Sequence, residues 1–409
     1  MRQVDLERGV PIGAPAASGR IQRPGVVLAA LTFVYILNFL DRQLLSILAK
    51  PIQDELQVTD GQLGLIGGLY FAMFYCFIAI PVGWLADRTS RIGVLSLACG
   101  IWSAATIACG LAKTYPQLVV ARMSVGFGEA GGVPPSYALI TDTFPPGRRG
   151  FAFGIFNLGP PIGAALGIAL GATIAAVFDW RDAFIAIGIV GIVTAIALPF
   201  IVPEPKRGAT DGADVQGKDG EAPFWGTVRA FFSNRILLLA SLGSGATQFV
   251  TYGLGNFAVL FLMREKGMTL SEVAVWYALV IIVGMGGGMI ASGKLIDRLS
   301  VRSRKSFATA PAASLAIAAP FYLGFVWAPT WELALALLTI VMFFNYFYLS
   351  CSVTLVQEEV APNQRVLAGA LLLLVMNFIG LGLGPTWVGA ASDWFAAQGS
   401  SANSLQLAL

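Results

Sequence analysis

Long apolar runs, separated by short polar segments, cover most of the chain from residue 26 onward. Eleven of these runs reach the roughly 20 mostly apolar residues that an α-helix needs to cross a bilayer. The pattern therefore predicts an all-α polytopic membrane protein. We number the predicted membrane-spanning helices spans 1 to 11, and they cover residues 26–49, 62–86, 92–112, 117–140, 150–177, 183–202, 236–262, 270–294, 306–328, 331–357 and 366–391.

Two hydrophilic segments define the predicted domain organisation. A polar arm over residues 1–25 precedes span 1, which is too long to be the apolar core of a signal peptide. The longest hydrophilic stretch, PEPKRGATDGADVQGKDGEAP, follows span 6 and has the composition of a flexible linker. We therefore predict a six-helix bundle over residues 26–202, a linker over 203–235 and a second helix bundle over 236–409.

The end of the linker and the end of the sequence allow further predictions. Residues 224–235, FWGTVRAFFSNR, place aromatic residues on one helical face beside two arginines. This pattern suits a short cytoplasmic helix at the membrane interface, and it equally suits the beginning of span 7. The apolar residues 404–409, SLQLAL, predict the start of a twelfth span, which we expect to be incomplete.

Composition and charge restrict the class of protein and predict its orientation. The 409 residues are 56% hydrophobic and 12% charged, and they include no histidine. Ser-His-Asp catalysis and histidine metal sites are therefore excluded, and we expect no enzyme, cofactor or metal ion. Of the 26 basic residues, nineteen flank the spans on the side of the N-terminus and five on the other side. The positive-inside rule predicts a cytoplasmic N-terminus in the plasma membrane or bacterial inner membrane.

A short charged sequence occurs twice at corresponding places on the predicted cytoplasmic side. GWLADRTSR lies at the end of span 2, and GKLIDRLSVRSR lies at the end of span 8. Glycine allows two helix ends to approach closely, and the charged side chains can form or break ion pairs between two halves of the molecule. We predict a conformational gate that consists of Gly83, Asp87, Arg88, Arg91, Gly293, Asp297 and Arg298.

The repeated motif resembles the signature loop of the major facilitator superfamily, and its repetition is similar to the two-fold arrangement of six-helix halves in that family. NLGPPIGAALG in span 5 resembles the Gly-Pro motif in the fifth helix of exporters from the same superfamily. The resemblance implies two pseudo-symmetric six-helix bundles in which helices 1, 4, 7 and 10 line a central cavity. For Gly159, Pro160 and Gly163 we expect a role in helix packing.

A narrower resemblance rests on two segments of the N-terminal half. NFLDRQLLSIL in span 1 and ARMSVGFGEAGGVPPSYALITDTFPPGRRG around span 4 resemble the spinster family of lysolipid and sphingolipid transporters. The C-terminal half is similar only to the superfamily. The resemblance implies a bacterial homologue that moves an amphiphilic lipid by alternating access.

Four charged residues fall inside predicted spans, where an unpaired charge is costly: Asp41, Arg42, Arg122 and Glu129. Arg122 and Glu129 are seven residues apart, so they lie on nearly the same face of one helix. One interpretation is an ion-paired cluster that only holds the half together. The other is that Asp41 or Glu129 takes up and releases a proton during transport while the two arginines bind an anionic headgroup.

The corresponding spans of the C-terminal half carry polar and aromatic residues instead of charges. We predict that these residues line the other wall of the cavity and bind substrate: Gln248, Tyr252, Asn256, Asn345 and Tyr346, with Tyr348 as a further candidate. Each of these side chains can alternatively pack or form hydrogen bonds between helices.

The leading hypothesis is a proton-coupled secondary transporter of a lysolipid or sphingolipid, working as a monomer, with antiport as one mode. Its expected partners are the substrate, protons and the bilayer, but no nucleic acid. A proton-coupled multidrug exporter is an alternative that the span 5 motif favours, and the two arginines permit an organic-anion transporter. A membrane sensor would not need the repeated gate charges.

Overall fold

The computed structural model describes residues 23–205, 224–300, 303–360 and 364–409. Most of the described residues are helical, and the helices of the N-terminal half follow the predicted apolar runs. Their bounds are Pro24–Ile47 for span 1, Asp60–Gly67 and Leu69–Arg88 for span 2, Arg91–Leu111 for span 3, Tyr115–Glu129 and Val133–Thr143 for span 4, Pro146–Phe156 and Gly159–Val177 for span 5, and Trp180–Ile201 for span 6.

The C-terminal half repeats this arrangement with two irregular helices. Span 7 is Arg235–Lys266, span 8 covers residues 270–300, span 9 is Ser306–Trp327, span 10 is Trp331–Asn345 and Phe347–Glu359, and span 11 is Arg365–Asn377 and Gly384–Ala397. π-helical segments interrupt span 8 at Val273–Tyr277 and Ile281–Gly286, and span 11 at Phe378–Leu383. The sequence pattern did not predict these segments, because they continue an apolar helix with a small change of winding.

Ten helices in the described part of the chain are long and apolar enough to cross a membrane. The remaining predicted span, span 4, consists of two shorter helices of 15 and 11 residues. The fold class is therefore confirmed, and the prediction of one continuous helix over 117–140 is wrong. A Gly-Gly pair followed by two prolines interrupts that helix at residues 131–135.

Several spans begin earlier than the hydropathy pattern predicts, because polar capping residues extend them. Thr59 and Gln62 form a capping box at the start of span 2, which begins at Asp60 instead of residue 62. Asp179 and Asp182 do the same for span 6, which begins at Trp180 instead of residue 183. The side chains at these ends satisfy free backbone N–H groups, so the helix continues beyond its apolar residues.

Glycines let span 5 lie directly against span 1. A Cβ atom added at Gly163 would lie 2.3 Å from the carbonyl oxygen of Ile36, and one at Gly159 would lie 2.9 Å from the ring of Tyr35. No larger side chain fits at Gly163 without moving the backbone of span 1. Pro160 occupies the first turn of the second helix of span 5, where a missing N–H costs nothing.

A group of hydrogen bonds between the two halves lies on one side of the molecule. We call the side where span 1 begins the amino face and the other side the opposite face. Ser46, near the end of span 1, donates to the carbonyl oxygens of Gly255 and Asn256 at 2.8 and 3.0 Å. The backbone N–H of Leu69 donates to Thr386 at 3.2 Å. These contacts hold the halves together towards the opposite face.

A buried carboxylate joins the halves at the opposite face itself. Asp60, at the start of span 2, is 4% exposed and accepts hydrogen bonds from Arg264 at 3.0 Å and Ser392 at 2.6 Å. Asp393 in turn accepts hydrogen bonds from the backbone N–H groups of Asp60 and Gly61 at 3.1 and 2.9 Å. The C-terminal half therefore caps a helix of the N-terminal half. We call Asp60, Arg264, Ser392 and Asp393 the opposite-face latch.

Residues 224–233 form a helix of their own and are not the start of span 7. This helix, Phe224–Ser233, ends before Asn234, whose side chain caps span 7. Thr227 and Phe231 are buried against the C-terminal half, whereas Trp225 is 78% exposed. The N-terminal arm over 1–22 and the linker residues 206–223 lie outside the described part of the chain.

The last residues form the short helix Ser404–Ala408, which packs at the end of span 7. Glu265 accepts hydrogen bonds from the backbone N–H groups of Leu405 and Gln406 at 2.9 and 3.0 Å. A carboxylate at a helix N-terminus accepts hydrogen bonds from free N–H groups and interacts favourably with the positive end of the helix dipole.

Candidate functional site

Glu129 lies where span 4 is broken. It is the last residue of the first helix of that span, and residues 130–132 form a tight turn before the second helix begins at Val133. The backbone N–H of Gly132 donates to the carbonyl oxygen of Glu129 at 3.0 Å, which is the spacing of a turn and not of an α-helix. The side chain of Glu129 is fully buried at this break.

Arg42 of span 1 forms an ion pair with Glu129. Its Nε atom donates to Oε2 of Glu129 at 2.5 Å, and its side chain is 11% exposed. The guanidinium also lies over the rings of Phe39 and Tyr75, at 5.0 and 4.6 Å from their centroids. Aromatic faces stabilise a cation in such positions, so the site holds Arg42 by both a carboxylate and π-electrons.

Arg122 lies near the same aromatic ring as Arg42. The guanidinium groups of Arg42 and Arg122 each lie 5.3 Å from the ring centroid of Phe71. Arg122 is 2% exposed, and its Nε and Nη1 atoms have no hydrogen-bond partner among the described residues. A buried guanidinium with free donors has a strong preference for an anion.

Asp41 points into the interior of the N-terminal half. It is 2% exposed, and its Oδ2 atom accepts a hydrogen bond from the Thr106 hydroxyl of span 3. The structure thus brings Asp41, Arg42, Arg122 and Glu129 into one region, with two positive and two negative groups. The sequence did not predict the part played by Phe71, Tyr75 and Thr106, because they are on spans whose rotation around the site it does not define.

The C-terminal half carries neutral polar groups in spans 7 and 10, and Gln248 packs against Gly380 of span 11. Tyr252 of span 7 lies close to the Arg42 guanidinium. Gln248 is 4% exposed and Asn345 is 2% exposed, and the Gln248 Oε1 and Asn345 Nδ2 atoms have no partner among the described residues. Asn345 is the last residue before span 10 breaks at Tyr346, so it occupies the position in span 10 that Glu129 occupies in span 4.

The other predicted residues of this half have packing partners. The Asn256 amide donates to the carbonyl oxygen of Tyr252 at 3.0 Å, and Asn256 also lies against span 2 at Gly67. Tyr346 packs against the main apolar core. Tyr348 is buried in a separate apolar cluster with Phe231.

The predicted gate residues lie at the amino face. Arg88 and Arg298 are exposed there, and the side chains of Asp87 and Asp297 lie outside the described part of the structure. The expected close approach at the two glycines is absent in this structure, because a Cβ atom added at Gly83 or Gly293 would have no described atom within 4 Å.

Each half has an ion pair at the amino face that connects the gate loop to the next broken span. Arg91 pairs with Asp142 at the end of span 4, and Arg304 pairs with Glu359 at the end of span 10 at 3.1 Å. Arg304 is the last residue of the repeated sequence in the C-terminal half, and Glu359 lies 55 residues further along the chain, so the repeated sequence alone did not reveal this pair.

Two bundles of spans around a buried, charged site define a polytopic membrane transporter. The model of the Major Facilitator Superfamily matches residues 31–385, and the chain belongs to this superfamily. It is a transporter and not an enzyme.

The chain is also similar to individual members of the superfamily. It is 30% identical to an MFS-type efflux pump of Mycolicibacterium smegmatis, over 91% of this chain and 85% of the pump. It is 27% identical to protein spinster homolog 3 of Danio rerio, over 91% of this chain and 77% of that protein. A crystal structure described as a bacterial homologue of the human lysosomal transporter Spinster, inward-facing and unoccupied, has a TM-score of 0.85 and 32% identity and covers 95% of this chain and 86% of that one. The resemblance to the spinster family is therefore confirmed.

Proposed function

We propose that this protein is a proton-coupled transporter of single-tailed amphiphilic lipids with an anionic or zwitterionic head. It works by alternating access, as a monomer, in the plasma membrane or bacterial inner membrane with its amino face in the cytoplasm. The observation that carries this proposal is the buried Arg122, whose Nε and Nη1 donors have no partner among the described residues.

The unpaired donors of Arg122 favour an anionic group beside it. With both carboxylates ionised, the negative charges of Asp41 and Glu129 equal the positive charges of Arg42 and Arg122 in number. Glu129 is already engaged by Arg42 at 2.5 Å, and Asp41 by Thr106. Leaving buried donors unpaired costs about 1–3 kcal/mol, and more for a charged group. A phosphate or carboxylate head supplies the missing acceptor oxygens, so binding it relieves this cost.

The aromatic residues around the charges favour an apolar tail. Phe39, Phe71 and Tyr75 surround the Arg42 guanidinium, and Tyr252 completes the site from the other half. Relatives support the anionic head: the chain is 30% identical to the sphingosine-1-phosphate transporter of Danio rerio over 64% of this chain and 52% of that protein. Phosphate on a single-tailed lipid combines both features.

Two relatives support the alternatives. The efflux pump of M. smegmatis favours a multidrug exporter, although two buried arginines oppose a cationic substrate. A probable sulfoacetate transporter of Cupriavidus necator is 28% identical over 69% of this chain and 67% of that protein, and it favours a small organic anion without a tail. Tail-length dependence distinguishes the lipid from the small anion.

Proton coupling follows from the type of titratable group in the site. The chain has no histidine, so Asp41 and Glu129 are the groups in the described cluster whose charge a proton can change. Protonation of either leaves the cluster with an excess positive charge, and an anionic head neutralises that charge. The opposite-face latch closes one entrance while the amino face carries the gate loops, which suits alternating access.

The experiment is a binding series with single-tailed lipids, measured by thermal stabilisation of purified protein and corrected for micelle formation. Affinity should rise with tail length by at most about 0.8 kcal/mol per methylene and then level off. Replacing the anionic head by a neutral one should weaken binding. Equal binding across tail lengths and head charges would reject the lipid, and competition by hydrophobic cations would then favour the exporter.

A further inference from the structure

Asp41 and Arg42 are consecutive residues of span 1, but they face different surroundings. Consecutive helical residues point about 100° apart. Arg42 reaches Glu129 of span 4 and lies near Tyr252 of the other half. Asp41 instead faces spans 3 and 6 within its own half, where it meets Thr106. The two carboxylates of the site are therefore in different environments.

The Thr106 hydroxyl has two partners of different kinds. Its Oγ1 atom lies 2.9 Å from the carbonyl oxygen of Trp102 and also within hydrogen-bond distance of Oδ2 of Asp41. A threonine hydroxyl has one proton to donate and can also accept, whereas a carbonyl oxygen only accepts. It therefore donates either to the carbonyl or to the carboxylate, but not to both at full strength.

This arrangement fits both protonation states of Asp41. When the carboxyl is ionised, Thr106 donates its proton to Oδ2. When the carboxyl is protonated, Asp41 donates to Thr106, and Thr106 turns its own proton to the Trp102 carbonyl. The heavy atoms need not move, so each state has a complete hydrogen bond at Oδ2.

A small cavity adjoins Asp41, whose second carboxylate oxygen lacks a described partner. Oδ1 is buried and has no partner among the described residues. The cavity beside Asp41 has room for about one water molecule and is lined by Leu37, Asp41, Trp102, Ser103, Thr106, Ile187, Gly188 and Gly191. Hydroxyl and carboxyl groups on its wall give a water molecule the polar partners that it requires.

We propose that Asp41, Trp102, Ser103 and Thr106 form a proton-holding niche, in which Thr106 changes hydrogen-bond partner and one water molecule binds Oδ1. This inference rests on the proposed proton coupling and describes how one of the two carboxylates, Asp41, holds a proton, while Glu129 stays the second carboxylate that the proposed coupling requires. Proton uptake adds one proton to Oδ2 and converts the carboxylate to the carboxylic acid, which donates to Thr106, while Oδ1 accepts a hydrogen bond from the bound water in both states. Thr106 is a positioning residue, since it acts through Asp41.

The charged and titratable groups around Asp41 come from three spans. Arg122 and Glu129 of span 4 and Arg42 of span 1 act on it electrostatically. The thiols of Cys99 and Cys109 in span 3 also lie near it. Span 6 contributes only apolar residues to the wall of the described cavity. Any pH titration of Asp41 therefore includes the effect of Glu129, and the test must separate the two.

The test is infrared difference spectroscopy of the full chain in lipid across a pH titration. The C=O stretching band of protonated Asp41 is the one that disappears in Asp41→Asn and remains in Glu129→Gln. In Thr106→Val, which keeps the shape, this band should change frequency and its midpoint should move to higher pH by about 0.5–1 unit. The reason is that Thr106 donates a stronger hydrogen bond to the ionised form than to the acid. Thr106→Ser keeps the hydroxyl and should behave as the wild type.

The outcomes separate the niche from the proposed function. If the Asp41 C=O band had the same frequency and the same titration midpoint in wild type and Thr106→Val, the niche would be overturned. Asp41 would still be a proton carrier, so the proposed function would stand. The absence of any pH-dependent band that is lost in Asp41→Asn would overturn both. Heavy-oxygen water should shift one O–H stretching band whose intensity follows the same titration. A titration without that band would overturn the water site.

Discussion

The two halves of the molecule break the same helix at the same level but place different groups there. Span 4 breaks after Glu129, a buried carboxylate paired with Arg42, and span 10 breaks after Asn345, a buried amide whose Nδ2 atom has no partner among the described residues. Discontinuous helices expose polar backbone near the centre of many transporters. The repeat therefore sets where the site lies, while the side chains of one half set its charge.

This asymmetry suggests a division of labour. In the N-terminal half lie the four charged residues for which we propose proton and anion binding. In the C-terminal half, Gln248 and Asn345 provide neutral hydrogen-bonding groups that can contact a substrate without a change of charge. The amino-face ion pairs, by contrast, occur in both halves, as Arg91 with Asp142 and Arg304 with Glu359. Ion pairs at the amino face therefore occur in both halves, whereas the buried cluster of charged residues lies in the N-terminal half.

The largest effect is expected from substitutions at the two helix breaks, which should have different consequences. Glu129→Gln keeps the side chain's shape but removes its charge, so it should abolish transport driven by a pH gradient, with a loss of about 100-fold or more. Asn345→Ala, at the corresponding position of span 10, should weaken substrate binding and leave the pH dependence unchanged. Flux measured at several pH values in proteoliposomes checks both variants. Equal loss of pH dependence in both would refute the division of labour.

A smaller effect, on affinity for the lipid head, should distinguish Arg122 of the N-terminal half from Gln248 of the C-terminal half. Arg122→Gln removes a charged donor, and charge-assisted hydrogen bonds contribute about 1.5–3 kcal/mol, so affinity for an anionic lipid should fall about 10–100-fold. The preference for anionic over neutral heads should shrink as well. Gln248→Leu, in the C-terminal half, is the matched variant and should retain the preference for anionic heads. If Gln248→Leu lost this preference and Arg122→Gln kept it, the C-terminal half and not the N-terminal half would bind the anionic head.

The opposite-face latch gives a test of how the halves are held together. Asp393→Ala removes a helix cap that crosses between the halves, and such a loss costs about 0.5–2 kcal/mol. The population open at the opposite face should therefore increase roughly 2- to 30-fold, as measured by spectroscopic distances across that face. Asp54→Ala is the control, because Asp54 pairs with Lys50 at the same face within one helix. A similar shift in both variants would argue against a latch.

The smallest expected effect concerns the repeated gate loops. Asp87→Asn and Asp297→Asn should each shift the balance between the two open forms without abolishing substrate binding, since a small free-energy change moves a two-state equilibrium. Because the loops are repeated, the two shifts should be of similar size, within about a factor of 10. Distance distributions across the amino face provide the measurement. Unchanged distributions with reduced binding would assign these residues a different role.

Much of the fold follows from hydropathy, whereas the details of the site depend on packing. Apolar runs determine the spans, and seven-residue spacing already places Arg122 and Glu129 on one face. Arg42 and not Arg122 pairs with Glu129, and both guanidinium groups lie 5.3 Å from the ring centroid of Phe71 on span 2. The rotation of span 2 is set by contacts far apart in sequence, so the sequence could not predict the unpaired Arg122.

The breaks in spans 4 and 10 also show how far the local sequence predicts the structure. Gly131, Gly132 and the two prolines that follow them are residues that interrupt helices, so the local sequence contains a signal for the break in span 4. Span 10 breaks at Tyr346 with no glycine or proline at that point. Local sequence therefore predicts one break, while the other arises from packing in the repeat.

Proton-coupled lipid transport is tested most directly by the flux of an anionic single-tailed lipid in proteoliposomes, with and without an imposed pH gradient. We expect the gradient to accelerate flux in the wild type and in Asn345→Ala, but not in Glu129→Gln. Wild-type flux that is the same with and without the gradient, or a Glu129→Gln variant that responds to the gradient as the wild type does, would contradict the proposed proton coupling.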